Sequence, residues 1–428
     1  MKTIYRTTHI YKPRSRAERA LTLAVLTALL SGASAAPAMA SVSQPKDVTI
    51  AADEDITVRE DDAKNNNHKA CLTYDENAED SDAYKTPSIA ENKLTILGKV
   101  TFLGDANVAA VYSGGADDLC YNHLLIDNGS LTGREALHVY GACSKNSGAS
   151  WNDVTIQGGS KVDSLILSEI YGGYSGAGNA VYNTVAIADS TVTGNVVGGR
   201  SDAGTAENNK VVLAGGTVNG DVVGGYGKTK AIRNSIFLLP GADGKATTFG
   251  KDSHLYGGLG AVGSGNSLTL AGMKDVKVAE VNGFQAYQFY LAPDMKAGDT
   301  LLTATNVAVF PNSLSMVNVD FSFSPIWDFG LSEDNKQINL ITAGKFYGAP
   351  KNIGDTYTLN GILSNYTGTL NANTNNVFVE LEEKPFEGGP EYVKVFASGE
   401  IRQIASVEKR QFGSAEIRQF ESIEKSLS

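Results

Sequence analysis

The chain has 428 residues, with 36 Lys and Arg against 47 Asp and Glu and a formal charge of −11. That acidic balance argues against nucleic acid or an anionic membrane as partner. Its three cysteines, Cys71, Cys120 and Cys143, do not have the spacing of a zinc site.

Residues 1–40 read as a signal peptide. Lys2, Arg6, Lys12, Arg14, Arg16 and Arg19 form a basic stretch, and the apolar stretch 20–30 is too short to span a bilayer. Ala38-Met39-Ala40 supplies an A-x-A cleavage site. Export is therefore expected, with cleavage before Ser41, and removal of the leader makes the chain still more acidic. No later stretch is apolar for long enough to form a transmembrane helix.

Residues 41–95 are polar and acidic, with the runs Asp53-Glu54-Asp55 and Glu60-Asp61-Asp62. They read as an N-terminal cap or lead-in whose charges are solvated.

Residues 96–275 repeat. Six short steps of β-branched or aromatic residues are followed by small ones: Val111-Tyr112-Ser113-Gly114, Val139-Tyr140-Gly141-Ala142, Ile170-Tyr171-Gly172-Gly173, Val196-Val197-Gly198-Gly199, Val222-Val223-Gly224-Gly225 and Leu255-Tyr256-Gly257-Gly258. About 10 to 12 residues later an Asn opens a second apolar step, at Asn122, Asn152, Asn183, Asn209, Asn234 and Asn266. Short strands between turn residues, recurring at about 25 to 33 residues, predict an all-β chain folded as a parallel β-helix, a β-solenoid. No coil buries its own apolar side, so stacking must supply the core. The glycines are expected to turn the chain with φ values other residues resist. The six Asn are expected either to hydrogen-bond along a ladder between coils or simply to suit left-handed turns.

Period-two alternation places His138, Glu169, Asn195, Asp221 and His254, the residues before five of the first steps, on one outward row. This is the candidate surface row, and loops on one side of a solenoid are the other expected binding place. Export permits a disulfide among the three cysteines. Three pairings are open, and Cys120 with Cys143, in successive coils, is the favoured one.

Residues 276–385 lose the glycine pairs but stay β-rich, and read as final coils or a cap that closes the solenoid end. Their aromatics, among them Phe284, Tyr287, Phe289, Phe310 and Phe329, are expected to pack a core rather than to form a glycan platform. Residues 386–428 read as a linker and an amphipathic helical tail, with EIRQIASVEK recurring as EIRQFESIEK.

The chain has no G-D-S-G or G-x-S-x-G nucleophile motif, no phosphate loop and no H-E-x-x-H metal site. No catalytic, cofactor or metal residue is assigned, and no cofactor is expected. Glu169 and Asp221, two coils apart on the row, would sit about 10 Å apart, at the long end of the range for an inverting pair of carboxylates.

The leader with Ile4-Tyr5-Arg6, the coils Ile170-Tyr171-Gly172-Gly173-Tyr174 and Asn183-Thr184-Val185-Ala186-Ile187, and the segment Gly283 to Leu302 together resemble the passenger of a Gram-negative autotransporter. The resemblance covers roughly residues 1–385. It implies a right-handed parallel β-helix at the cell surface or in the medium, acting in adhesion, aggregation or host contact on a glycan or protein ligand, or on a second copy. The chain departs from that family after residue 385, where residues 386–428 hold no outer-membrane barrel. A truncated product, a separate translocator for surface display, or a periplasmic protein are the expectations that follow. The functional expectation is a non-enzymatic surface or secreted adhesin. The alternatives are a polysaccharide-active β-helix enzyme and an inactive passenger remnant.

Overall fold

The structure is a computed structural model. It describes residues 90–384 apart from 103–105, 293, 312–314, 321–328, 333–334 and 361–364, together with the strand segments 47–50, 54–56, 69–73 and 84–85. The expected signal peptide and the expected helical tail lie outside the described residues.

The chain is a parallel β-solenoid of about seven turns, with four sheets running along it. One coil shows the plan. From Asn152 the chain makes Asp153–Gln157 in sheet A, Lys161–Ser164 in sheet B, Leu167–Ser175 in sheet C and Ala180–Val181 in sheet D. The next coil starts at Asn183 and lays each strand in register on the last, for example Val154 on Val185 and Ile170 on Val196. Among the described residues sheets A, B, C and D hold ten, seven, fifteen and six strands. At about 4.8 Å per coil the seven turns rise roughly 30–35 Å. The described residues contain strands and turns but no helix.

Alternation explains the core. In sheet A the column Leu124, Val154, Val185, Val211, Ile236 and Leu268 points inward in register and is fully buried. Each such side chain contributes about 1.5–3 kcal/mol by leaving water. The acidic lead-in takes part too, since Asp47–Ile50, Glu54–Ile56 and Lys69–Thr73 begin sheets A, B and C.

The register corrects one copy of the repeat. Val108 and Ala109, not Val111 and Tyr112, lie opposite Val139 and Tyr140. Residues 105–113 carry no glycine, so a reading keyed to small residues slips three positions there.

The glycine pairs also have a different cause from the one expected. Left-handed φ values occur elsewhere, and neither glycine of the pairs at 172–173, 198–199 or 224–225 has one. These glycines are required by close approach. A Cβ on Gly172 or Gly198 would collide with the carbonyl of the stacked glycine in the next coil, and a Cβ on Gly173 or Gly199 with the side-chain amide of Asn183 or Asn209. Strand C bends there, which turns the coil toward sheet D.

Toward the C-terminus the coils simplify. Ala286–Tyr290 and Met316–Asp320 extend sheet A, and Val276–Asn282, Thr300–Val309 and Gln337–Tyr347 extend sheet C. Phe284, Tyr287, Phe289, Phe310 and Phe329 are buried in this core. Sheet C is then closed by antiparallel strands, Asn376–Lys384 on Gln337–Tyr347, followed by Asn365–Ala372 and Thr356–Asn360. Sheet A is closed by a side chain. Asn352 accepts from Val317 N at 2.9 Å and donates to Val317 O at 2.7 Å, where a further strand would bond. The edge of sheet A is thus partly satisfied at Val317, and the edge of sheet C moves out to Thr356–Asn360.

Candidate functional site

Two polar columns run along the solenoid, one inside and one outside. The inner column stands at the corner where sheet D turns into sheet A. Asn122, Asn152, Asn183, Asn209, Asn234 and Asn266 are all essentially unexposed. From Asn122 to Asn234 both amide N–H groups donate, and Asn183 shows the pattern. Asn183 Oδ1 accepts from Asn152 N and Asn152 Nδ2, both at 3.0 Å, while Asn183 Nδ2 donates to Ala149 O at 2.8 Å and Asn209 Oδ1 at 3.1 Å. The pattern begins one coil earlier, at Asn92, which donates to Asn122 Oδ1 at 2.8 Å. It ends at Gln285, whose Oε1 accepts from Asn266 N at 2.8 Å. Left-handed backbone belongs to the preceding residue, Tyr121, Trp151, Tyr182, Asn208 or Arg233, and not to the Asn itself. Trp151 and Tyr182 stack outside this corner with centroids 4.1 Å apart. A buried, satisfied column of this kind is structural.

The outer column is the surface row. His138, Glu169 and Asn195 lie in register on sheet C. Asn195 Oδ1 accepts from Asp221 N at 3.0 Å, and His254 Nδ1 lies 2.7 Å from Asp221 Oδ1. Asn107 precedes the row, opposite His138, and Glu280 follows it, opposite His254. His138 Nδ1 sits 3.3 Å from Glu169 Oε2, a charge contact when the imidazole is protonated, but off the hydrogen-bond axis.

On either side of the glycine pair the outer face of sheet C carries two further columns, together termed the groove, which is largely filled by their own side chains. Two residues beyond each row position stand Tyr140, Tyr171, Val197, Val223 and Tyr256; five beyond stand Cys143, Tyr174, Arg200, Tyr226 and Leu259. The two columns pack on each other across the bend. Tyr140 and Tyr171 stack at 5.2 Å, and Tyr174 meets both edge-on at 5.8 and 5.9 Å. Arg200 lies over Tyr171 and Tyr174 at 5.8 Å and over Tyr226 at 5.0 Å, cation–π contacts worth about 0.5–2 kcal/mol each. Its Nε donates to Asp202 Oδ1 at 2.8 Å and its Nη1 to Tyr171 OH at 3.1 Å.

The electrostatics follow from this packing. Burial raises the Glu169 pKa, but contacts with His138, the Tyr171 hydroxyl, donated at 2.5 Å, and the charges of His138 and Arg200 outweigh it, so the carboxyl is held below its usual range. Burial, and then Glu169, push the Tyr171 phenol well above its ordinary value; burial and the bond to Asp202 do the same for Tyr174. Burial, Glu280 and Asp221 push Tyr256 up to about 12. Phenols and carboxylates here are matched to each other.

The row was legible from alternation, but the two groove columns were not. Period two holds from the row to the tyrosine beyond it. The bend then shifts the phase by one, so that residues five positions on face outward again. A count keyed to the row at +2 and +5 would have found both columns.

The favoured pairing of Cys120 with Cys143 is not formed. Cys120 stands on sheet D opposite Ser150, while Cys143 packs with Tyr140 and Tyr171 in the outer groove, so the two belong to different layers. Burial, Asp118 and Glu91 push the Cys120 thiol up. Among the described residues no group of His, Cys, Asp and Glu could hold a metal ion.

Comparison with known protein families, with curated proteins and with solved structures finds no match.

Proposed function

We propose that the chain is an exported passenger, displayed at the cell surface or released, that binds a glycan or protein ligand without turnover and does so through the groove of sheet C. The observation that carries this reading is the groove itself. It combines partly exposed Tyr112, Tyr174, Tyr226 and Tyr256 with a polar row on one side, and it continues from coil to coil. Aromatic side chains with polar tips are what binding surfaces favour. An elongated ligand would meet a new set of contacts at each coil.

The rival is a polysaccharide hydrolase using Glu169 and Asp221. Glu169, held low, fits only the base or nucleophile of such a pair, which leaves Asp221 as the acid. Asp221 Oδ1 already accepts from His254 N at 3.0 Å and lies 2.7 Å from His254 Nδ1, a structural link within the row, so binding is the better reading.

The test has two arms. Labelled protein is titrated onto host cells, matrix and immobilised glycans, with the Tyr226→Ala/Tyr256→Ala double variant beside it. Saturable binding that the double variant loses supports the proposal, and absence of binding to every surface sinks it. Incubation with acidic and neutral polysaccharides forms the second arm. Release of reducing ends that Glu169→Gln abolishes would replace adhesion with hydrolysis. Protease shaving of intact cells, with blots of periplasm and medium, tests export separately.

A further inference from the structure

Sheets A and C continue to the C-terminal end of the solenoid. Among the described residues sheet B stops earlier, at Thr248–Phe249, the last strand in its order. The cause is a shortcut. In earlier coils the chain between strands A and C carries a B strand, as residues 158–166 carry Lys161–Ser164. After Ser267–Ala271 only residues 272–275 lead directly to Val276–Asn282 in sheet C, and no B strand is laid down.

The place of that strand is a cleft of about 540 Å³, within the range of ligand sites. Its walls are the edge 246–249 on one side and 272–275 with Lys277, Ala292 and Asp294 on the other. Thr248 N donates to Gly216 O and Gly250 N to Val218 O, both toward the coil beneath. In a parallel strand the alternate residue faces the opposite neighbour, so the N–H and C=O of Phe249 are directed at the cleft. The floor is apolar. Phe249 is the outermost member of the inward column Leu131, Val162, Val192, Val218, and it is only partly buried, because no further strand covers it. At the rim Lys274 is held by Asp294 and Asp299, while the exposed Lys277 makes no ion pair among the described residues.

We propose that this cleft is a strand-acceptor site, which takes an extended peptide from another molecule as the next parallel strand of sheet B. Three observations specify the occupant. The hydrogen-bond ladder of sheet B continues into the cleft, so the ligand presents a backbone edge. The strands beneath alternate an outward polar residue with an inward aliphatic one, so one aliphatic side chain lands on Phe249. Lys277 selects a carboxylate nearby. Backbone bonds supply affinity in such strand addition, and alternate side chains supply specificity.

The probe is a fluorescein-labelled peptide copying residues 188–194, Ala-Asp-Ser-Thr-Val-Thr-Gly, which contains a B strand of this chain and an acidic flank. Binding is followed by fluorescence anisotropy on the whole protein, and amide hydrogen exchange is read at Phe249. The expected result is saturable binding with at least about tenfold slower exchange at Phe249. Ala246→Trp, which fills the cleft, should abolish both, and Lys277→Glu should weaken binding about tenfold. Unchanged exchange at Phe249 with the peptide at about 1 mM, or protection that persists in Ala246→Trp, overturns the proposal. If Ala246→Trp fails to fold, the exposed Lys277→Glu decides, since binding indifferent to it also overturns the site as drawn.

Discussion

The inner Asn column and the outer groove are separated by one glycine pair, yet they follow opposite rules. Along the column the same side chain repeats through seven coils, from Asn92 to Asn266, and each of the first six donates its amide to the carbonyl oxygen of the next. Along the groove nearly every coil differs, with Cys143, Tyr174, Arg200 and Tyr226 at one position. Repetition is what a buried hydrogen-bond ladder requires, because one wrong rung leaves its neighbours unpaired. Variation is tolerated outside, where solvent fills what a side chain leaves open. The difference separates the part of each coil that holds the rod together from the part free to carry recognition.

The most severe break of this contrast should come from the glycine between the two. In Gly173→Ala the new methyl falls inside contact distance of the Asn183 amide, which is held on four sides and cannot retreat. Overpacking of this kind costs about 3 kcal/mol, read as a lower urea midpoint. A loss below about 1 kcal/mol would mean that the ladder yields easily and that the pair is conformational after all.

Asn183→Ala should cost somewhat less, about 2–3 kcal/mol. It leaves Asn152 N, Asn152 Nδ2 and Ala149 O without their partner while adding no clash. Asn183→Asp is the sharper version, since it keeps the acceptor but loses the two donors. If Asp restores full stability, shape and not hydrogen bonding explains the Asn column.

How much of this was legible follows from particular residues. The six Asn recur at one position, which a sequence shows directly. Asn92 escaped because residues 70–91 hold no glycine step to announce it, and Gln285 because the last rung is a different amide. The parallel solenoid was legible because period two and turn residues recur together. The sheet B strands were harder, since Thr191–Val192 or Thr217–Val218 is too short to show any period. The groove was hidden by the phase shift at the bend. The slot after sheet B was hidden because it is made by residues the chain omits.

Core and groove can also be compared through their phenols. Tyr287 is fully buried in the final coils, burial pushes its pKa well up, and its hydroxyl has no hydrogen-bond partner among the described residues. Tyr171 is nearly as buried, but its hydroxyl is paired with Glu169 and Arg200. Tyr287→Phe should therefore stabilise the protein by about 1 kcal/mol, and Tyr171→Phe should destabilise it by a similar amount. Thermal unfolding of the two variants checks the signs. Equal signs would show that the paired hydroxyl gives the groove nothing.

The smallest effect expected is the dependence of the groove on pH. The pKa of Glu169 is lowered in the folded chain from an ordinary value of 4.5. Its contribution is thus fully present above that value and is lost as pH falls through the folded pKa. Other carboxylates titrate in the same window, so the measurement is the difference between wild type and Glu169→Gln. That difference should shrink below about pH 4. Protonation removes the charge that faces His138 and Arg200 and weakens the acceptor of the Tyr171 hydroxyl, and Gln has already made both changes. A difference that stays constant to low pH would place the lowered carboxyl elsewhere on sheet C and would loosen the link between the row and the tyrosines.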